Sequence, residues 1–276
     1  MLEHDLDTLL TEVRRIVTAA GAVIEEIRAS GDIQTQSKDD ESPVTRADRA
    51  ADELLRSQLQ DAFPVAWLSE ETADDAARLE AERLWVVDPL DGTREFIEGL
   101  PEYSVAVALV TAGQPVLGVV HSPATGDTYW ATHGGGAFHN GNPIRVAEGE
   151  MLLTSRSETR RGEFAPFEEH WLLKPIGSIE LKLALVAAGR AALTLSRGPK
   201  HEWDVCAGSL IVREAGGLAT DMFGDDLTFN RPFPKVKGIL AGAPQTHARG
   251  LEQLRVIGAS DRMDEFSDLR PPDTES

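Results

Sequence analysis

Cysteine is almost absent from this chain. Cys206 is the only one in 276 residues, so neither an intrachain disulfide nor a thiolate metal cluster can be built. No apolar run approaches the roughly 20 residues that a bilayer span needs. The opening residues, Met-Leu-Glu-His-Asp-Leu-Asp, lack the basic-then-apolar order of a signal peptide, which points to a cytoplasmic location. Basic residues are also few: 27 Lys and Arg stand against 46 Asp and Glu, for a formal net charge of −19. A nucleic-acid polymer is bound through the opposite balance and is excluded as a partner. A small anionic substrate would be repelled at long range and captured only where bound cations reverse the local sign. A solvated surface is the simpler account of the acidity. There is no internal repeat. The remaining composition, 41% hydrophobic and 26% charged, is that of a globular protein with a large core.

The apolar residues that are present fall into clear periods. Leu6, Leu9, Leu10, Val13, Ile16, Val17, Ala20, Val23, Ile24 and Ile27 recur every three or four positions and predict a helix from Leu2 to about Ala29, stopped by Gly31. A polar loop, 38–43, follows. Thr45 with Asp48 three residues on resembles a helix-capping pair, opening a helix to about Asp61. Val65–Leu68 predicts a short strand ending at Ser69-Glu70-Glu71, and Ala73–Arg83 a surface helix. Tyr103–Thr111 and Pro115–His121 predict a hairpin, and a further strand runs from Gly126 to Ala131. Gly134-Gly135-Gly136 and Asn140-Gly141-Asn142-Pro143 mark turns, since no helix or Gly-Lys-Ser follows to make a nucleotide loop. In the second half, strands are expected at Met151–Arg156, Ala191–Leu195, Leu218–Asp221 and Val236–Ala241. Helices are expected at Ser178–Gly189, Trp203–Ala215 and Pro244–Val256. The His121, His133 and His201 side chains read as surface or satisfied core groups, and Cys206 as a packing residue.

One stretch reads differently. Leu84–Val87 is a short apolar run, as for a strand buried on both faces, and it ends at Asp88-Pro89-Leu90-Asp91-Gly92-Thr93. Pro89 forbids a ladder donor and a simple continuation into helix. Two carboxylates and the Leu90 carbonyl therefore crowd a strand-to-helix corner. Hard oxygen ligands so placed repel one another unless a cation holds them. The Gly92 and Thr93 amides open the next helix, where an anion is favoured. Taken alone, Asp-x-x-Asp-Gly reads equally well as a strand ending in a capped turn.

Together these pieces resemble the inositol-monophosphatase superfamily of magnesium-dependent, lithium-sensitive phosphatases. The resemblance covers nearly the whole chain. It rests on Ser69-Glu70-Glu71, on Trp85-Val86-Val87-Asp88-Pro89-Leu90-Asp91-Gly92-Thr93, and on Trp203-Asp204-Val205-Cys206-Ala207-Gly208 with Glu214-Ala215-Gly216-Gly217 behind it. It implies an α+β fold, an αβαβα layered sandwich. Residues 1–147 would form an antiparallel-sheet half carrying most metal ligands. Residues 148–260 would form a mixed-sheet half with Asp204 and the substrate contacts, and 261–276 an acidic flexible tail. The metal ligands implied are Glu70, Asp88, the Leu90 carbonyl, Asp91 and Asp204, holding two or three Mg2+ ions. Asp48, paired with Thr93, and Glu70 would orient the attacking water, while the Gly92 and Thr93 amides bind phosphate. The family is often dimeric, which leaves a homodimer open. Oxygen-only ligands suit magnesium over zinc.

Gly177-Ser178-Ile179-Glu180-Leu181-Lys182 and Gly198-Pro199-Lys200-His201-Glu202-Trp203-Asp204 look like the CysQ branch, which removes the 3′-phosphate of 3′-phosphoadenosine 5′-phosphate (PAP). That likeness directs Ser178 and Lys182 toward substrate. Inositol phosphatases usually carry an acid seven positions before the last metal Asp; Arg197 stands there and favours a second phosphate over a neutral polyol. Glu180 departs from the branch's Gly-Ser-Ser-Leu-Lys pattern. Inositol 1-phosphate or another sugar phosphate is the alternative substrate, and a catalytically inactive sensor of a phosphorylated metabolite is the alternative of another class.

Overall fold

The computed structural model describes residues 3–38 and 42–257. Helix α1 (Glu3–Ser30) turns Val13, Ile16, Val17, Ala20 and Ile24 wholly inward, as the spacing predicts, and ends where Gly31 takes a left-handed φ of 73°. Helix α2 (Arg46–Ala62) packs beside it. Its capping box is complete: the Thr45 hydroxyl accepts from the Ala47 amide at 3.1 Å, and the Thr45 amide donates to Asp48 Oδ2 at 2.7 Å.

Seven strands form the larger sheet in sequence order: β1 (Ala66–Ser69), β2 (Arg83–Asp91), β3 (Ser104–Thr111), β4 (Gln114–Ser122), β5 (Asp127–Thr132), β6 (Gly136–His139) and β7 (Asn142–Pro143). Only β1 and β2 are parallel; every other neighbouring pair is antiparallel. Period-two alternation decides which side chain meets which layer. Trp85, Val87, Val105, Val107, Leu117 and Val119 face α1 and α2. Val86, Ala106, Ala108, Val110 and Val120 face a second helical layer, α5 (Ile179–Ala187) and α6 (Cys206–Glu214). A sheet covered on both faces explains why these strands read as continuous apolar runs.

Beyond that layer lies a five-stranded sheet made of β8 (Met151–Ser155), β9 (Leu172–Ile176), β10 (Leu193–Ser196), β11 (Leu218–Thr220) and β12 (Ile239–Gly242), in the order β9-β8-β10-β12-β11. β8 is parallel to both its neighbours and β12 antiparallel to both of its own, so the sheet is mixed. Helix α7 (Pro244–Ile257) closes the outer side, packing its Leu254 in one cluster with Leu193 and Leu240. Two further short helices, α3 (Thr93–Glu98) and α4 (Arg156–Arg160), stand beside the cleft described below. The layers run αβαβα, the expected α+β sandwich. Among the described residues, no helix is long and apolar enough to cross a membrane.

Two local expectations are corrected. The helix expected over 73–83 is only a 3-10 turn at Ala76–Glu80, because Arg78 is buried there and tied to Asp74 at 2.6 Å and Asn230 at 2.8 Å. Strand β9 has no sequence signal, because Pro175 hides it, and its edge position tolerates the missing donor. The Gly134–Gly136 turn falls where expected and leads into β6. The expected acidic tail, 261–276, lies outside the described residues. Glu148 caps α7 by accepting from the Gln245 amide (3.0 Å), the Thr246 amide (2.8 Å) and the Thr246 hydroxyl. Glu148→Ala should therefore cost about 1 kcal/mol, read as a thermal midpoint lower by a few degrees with unchanged activity.

Candidate active site

The corner after β2 is built by its own residues. The β2–β3 register is interrupted between Asp88 and Asp91, which lets Asp88-Pro89-Leu90 bulge out of the ladder. Asp88 Oδ1 accepts the Leu90 amide at 3.0 Å and pins the bulge. Gly92 then turns the chain into α3 at a φ of 99°. A Cβ at Gly92 would also lie 2.7 Å from the Glu102 carbonyl oxygen, so glycine is needed for both conformation and space.

Three other elements bring their side chains to this corner. β1 pairs with β2 and delivers Glu70 just past Ser69, opposite Val87. The turn before α6 delivers Asp204, whose Oδ2 accepts the His201 amide at 2.8 Å. Helix α2 delivers Asp48, whose Oδ1 accepts the Thr93 hydroxyl at 2.9 Å. Glu70, Asp88, Leu90, Asp91, Gly92, Thr93, Ser178, Lys182 and Asp204 all line one cleft between the two sheets' ends. Asp48 stands behind Thr93 rather than on the cleft wall. Arg197 is buried and is not among the lining residues.

The carboxylates strain against one another. Burial, then the charges of Glu70, Asp91 and Asp204, pushes the Asp88 carboxyl well above the usual range. Burial raises Glu70 to about 7 despite Lys38, and Asp91 to about 6 despite the Ser178 hydrogen bond. Asp204 is raised too, by burial. Among the described residues, no three acidic, histidine or cysteine side chains already converge on one point. Each carboxylate is held by a protein donor instead. Lys38 Nζ bridges Glu70 (2.7 Å) and Glu71 (2.6 Å), and Asp91 Oδ2 accepts both the Ser178 hydroxyl (2.6 Å) and the Glu180 amide (2.7 Å). The donor set fits magnesium nonetheless. It is hard oxygen throughout, and its mutual repulsion is what divalent cations would relieve.

Ser178 and Lys182 do more than line a wall. Ser178 is held at φ 52°, a sparsely populated region for a non-glycine residue, by its bonds to Asp91, to the Leu181 amide (3.0 Å) and to Ser104 (3.0 Å). Lys182 is buried and its ammonium donates to the carbonyls of Ser178 (3.0 Å) and Ile176 (3.4 Å), so it secures this turn. Burial lowers its pKa to about 8.

Other lining residues carry no signal in the sequence. Arg156 reaches Glu102 with a forked ion pair, and Glu102 also accepts the Gly177 amide at 2.8 Å, stitching the two halves together across the cleft. Lys200 pairs with Glu158 at 3.2 Å, and Arg94 and Arg160 complete the basic part of the wall. A bulged strand end presenting carboxylates to a cleft that Arg94, Arg156, Arg160, Lys182 and Lys200 also line fits a metal-assisted phosphate-ester hydrolase.

Comparison with known proteins agrees. The model of the inositol monophosphatase family matches residues 5–259. A Thermotoga maritima protein described as fructose-1,6-bisphosphatase/inositol-1-monophosphatase is 34% identical over 207 residues, 71% of this chain and 78% of that one. A 3′(2′),5′-bisphosphate nucleotidase CysQ of Aggregatibacter actinomycetemcomitans is 33% identical, covering 81% of this chain and 88% of that protein. The crystal structure of CysQ from Bacteroides thetaiotaomicron superposes with a TM-score of 0.70 at 30% identity, over 86% of this chain and 96% of its own. The chain belongs to the inositol monophosphatase family, whose members are generally magnesium-dependent phosphoric monoester hydrolases.

Proposed function

We propose that this enzyme removes the 3′-phosphate of PAP, with Glu70, Asp88, the Leu90 carbonyl, Asp91 and Asp204 as its magnesium ligands. The observation that supports PAP over a neutral polyol is the basic wall: Arg94, Arg156, Arg160, Lys182 and Lys200 all line the cleft that the carboxylates enter. Six carboxylates line the same cleft, four of them the proposed metal ligands, so once magnesium offsets those four the five cations favour a substrate with a second anionic group beyond the phosphate being cleaved. Bound magnesium would supply an activated water and neutralise charge on the leaving oxygen. The protein's own part is positioning. The Thr93 hydroxyl donates its hydrogen bond to Asp48 and so keeps a lone pair for the water, while the Gly92 and Thr93 amides orient the phosphate. Ser178 and Lys182 hold the wall that meets the rest of the substrate.

The test is phosphate release, with magnesium, from PAP and myo-inositol 1-phosphate side by side. A strong preference for PAP is expected; a preference for inositol phosphate would keep the metal site and overturn the substrate. Arg160 is 69% exposed, with only a 3.9 Å contact to Glu98, so it can swing to a ligand at little cost. Arg160→Ala should raise KM for PAP about tenfold or more, the worth of a charged hydrogen bond, and leave KM for inositol 1-phosphate nearly unchanged. Equal effects on both would remove Arg160 from this role.

A further inference from the structure

Glu180 is fully buried, yet no Lys or Arg is hydrogen-bonded to it among the described residues. Both its oxygens face helix α6. Oε1 accepts the Ala207 amide at 3.1 Å and Oε2 the Gly208 amide at 2.6 Å. Val205, the residue preceding α6, has no side-chain cap bond. A carboxylate from a different helix therefore satisfies the orphan donors of the first turn and meets the positive end of the dipole. The neighbouring residue is fitted to it: a Cβ at Gly208 would lie 2.4 Å from Glu180 Oε2.

The same residue reaches the other way through its backbone. Its amide donates to Asp91 Oδ2 at 2.7 Å, beside the Ser178 hydroxyl on the same oxygen. Asp91 ends a strand of the first sheet, and Asp204 enters the cleft two residues before α6 begins. These two carboxylates come from parts of the chain more than a hundred residues apart. One residue ties them together, by its amide to Asp91 and by its carboxylate to the helix that follows Asp204.

We propose that Glu180 is a positioning residue: it sets the separation of Asp91 from Asp204 across the α5–α6 layer and thereby the affinity of the metal they hold. This rests on the metal assignment above. In the relaxed alternative, α6 would settle by its packing alone and Glu180 would contribute only stability.

The experiment titrates Mg2+ into the purified protein by calorimetry and, separately, follows the Mg2+ dependence of phosphate release. Glu180→Ala should weaken Mg2+ binding about tenfold and raise the half-saturating Mg2+ concentration equally, with kcat at saturating Mg2+ within a few-fold of wild type. Glu180→Gln, whose amide has one oxygen to offer two N–H groups, should fall between; it carries the test if the alanine variant does not fold. Val186→Ala, a cavity on the same helix away from both contacts, should lower the thermal midpoint and leave Mg2+ affinity unchanged. Wild-type affinity in both Glu180 variants, or an equal loss in Val186→Ala, would overturn the positioning role. Mg2+ binding that survives in Asp91→Asn and Asp204→Asn would instead overturn the metal assignment.

Discussion

Replacing Asp88 with asparagine should abolish phosphate release, by about a thousandfold or more, without unfolding the protein. The substitution keeps shape and the acceptor for the Leu90 amide, 3.0 Å away, so the bulge survives. What it removes is a charge, at a position 1% exposed and pressed by Glu70, Asp91 and Asp204. In the metal-free protein that charge is a burden, and its loss should leave the thermal midpoint unchanged or raise it. With magnesium the order should reverse. Wild type gains stability from a ligand that binds only the native state, and the asparagine variant should not. The measurement is therefore two melts of each protein, with and without Mg2+, beside a turnover assay. Surviving activity, or an equal Mg2+-induced shift in both proteins, would show that Asp88 holds no catalytic metal.

The parts of this site that could be read in the sequence are those whose chemistry is local. Asp88, Leu90, Asp91, Gly92 and Thr93 are neighbours in the chain, and a proline and a glycine among them announce a corner. The capping pair Thr45–Asp48 was likewise visible from a three-residue spacing, and the structure shows why it matters beyond the helix: Asp48 spends one oxygen on Thr45 and the other on Thr93. Residues whose partners are far along the chain left no such mark. Arg156 meets Glu102 across 54 positions, and Lys38 meets Glu70 across 32; each reads alone as ordinary surface charge. Glu180 was conspicuous only as a departure from a pattern, because its partners on α6 are 27 and 28 residues on. The fold followed the same rule. Strands buried on both faces and the amphipathic helices were legible from periodicity, whereas β9, with a proline inside it, takes its pairing from a neighbour that sequence patterns do not reveal.

Thr93 should show the second large effect. Thr93→Val should lower kcat roughly a hundredfold or more, the range of a lost proton-transfer partner, with KM little changed. The hydroxyl has a single proton, and Asp48 Oδ1 at 2.9 Å is the nearest acceptor, with the Leu90 carbonyl oxygen at 3.1 Å. Committing the proton there leaves the oxygen to accept from a water in the cleft, which is the direction a general base requires. Valine keeps the volume and the β-branch but ends the relay. It also strands Asp48 Oδ1, so a loss of about 1–3 kcal/mol in stability should accompany the loss of rate. Thr93→Ser separates the two consequences: it restores the hydroxyl without the methyl, and should recover most of kcat while the folding loss shrinks. A Ser variant as slow as the Val variant would mean that Thr93 acts by packing α3 against the corner and not by holding a proton. A Val variant with normal kcat would remove the Asp48–Thr93 pair from the chemistry altogether and leave Glu70 as the remaining group able to orient the water.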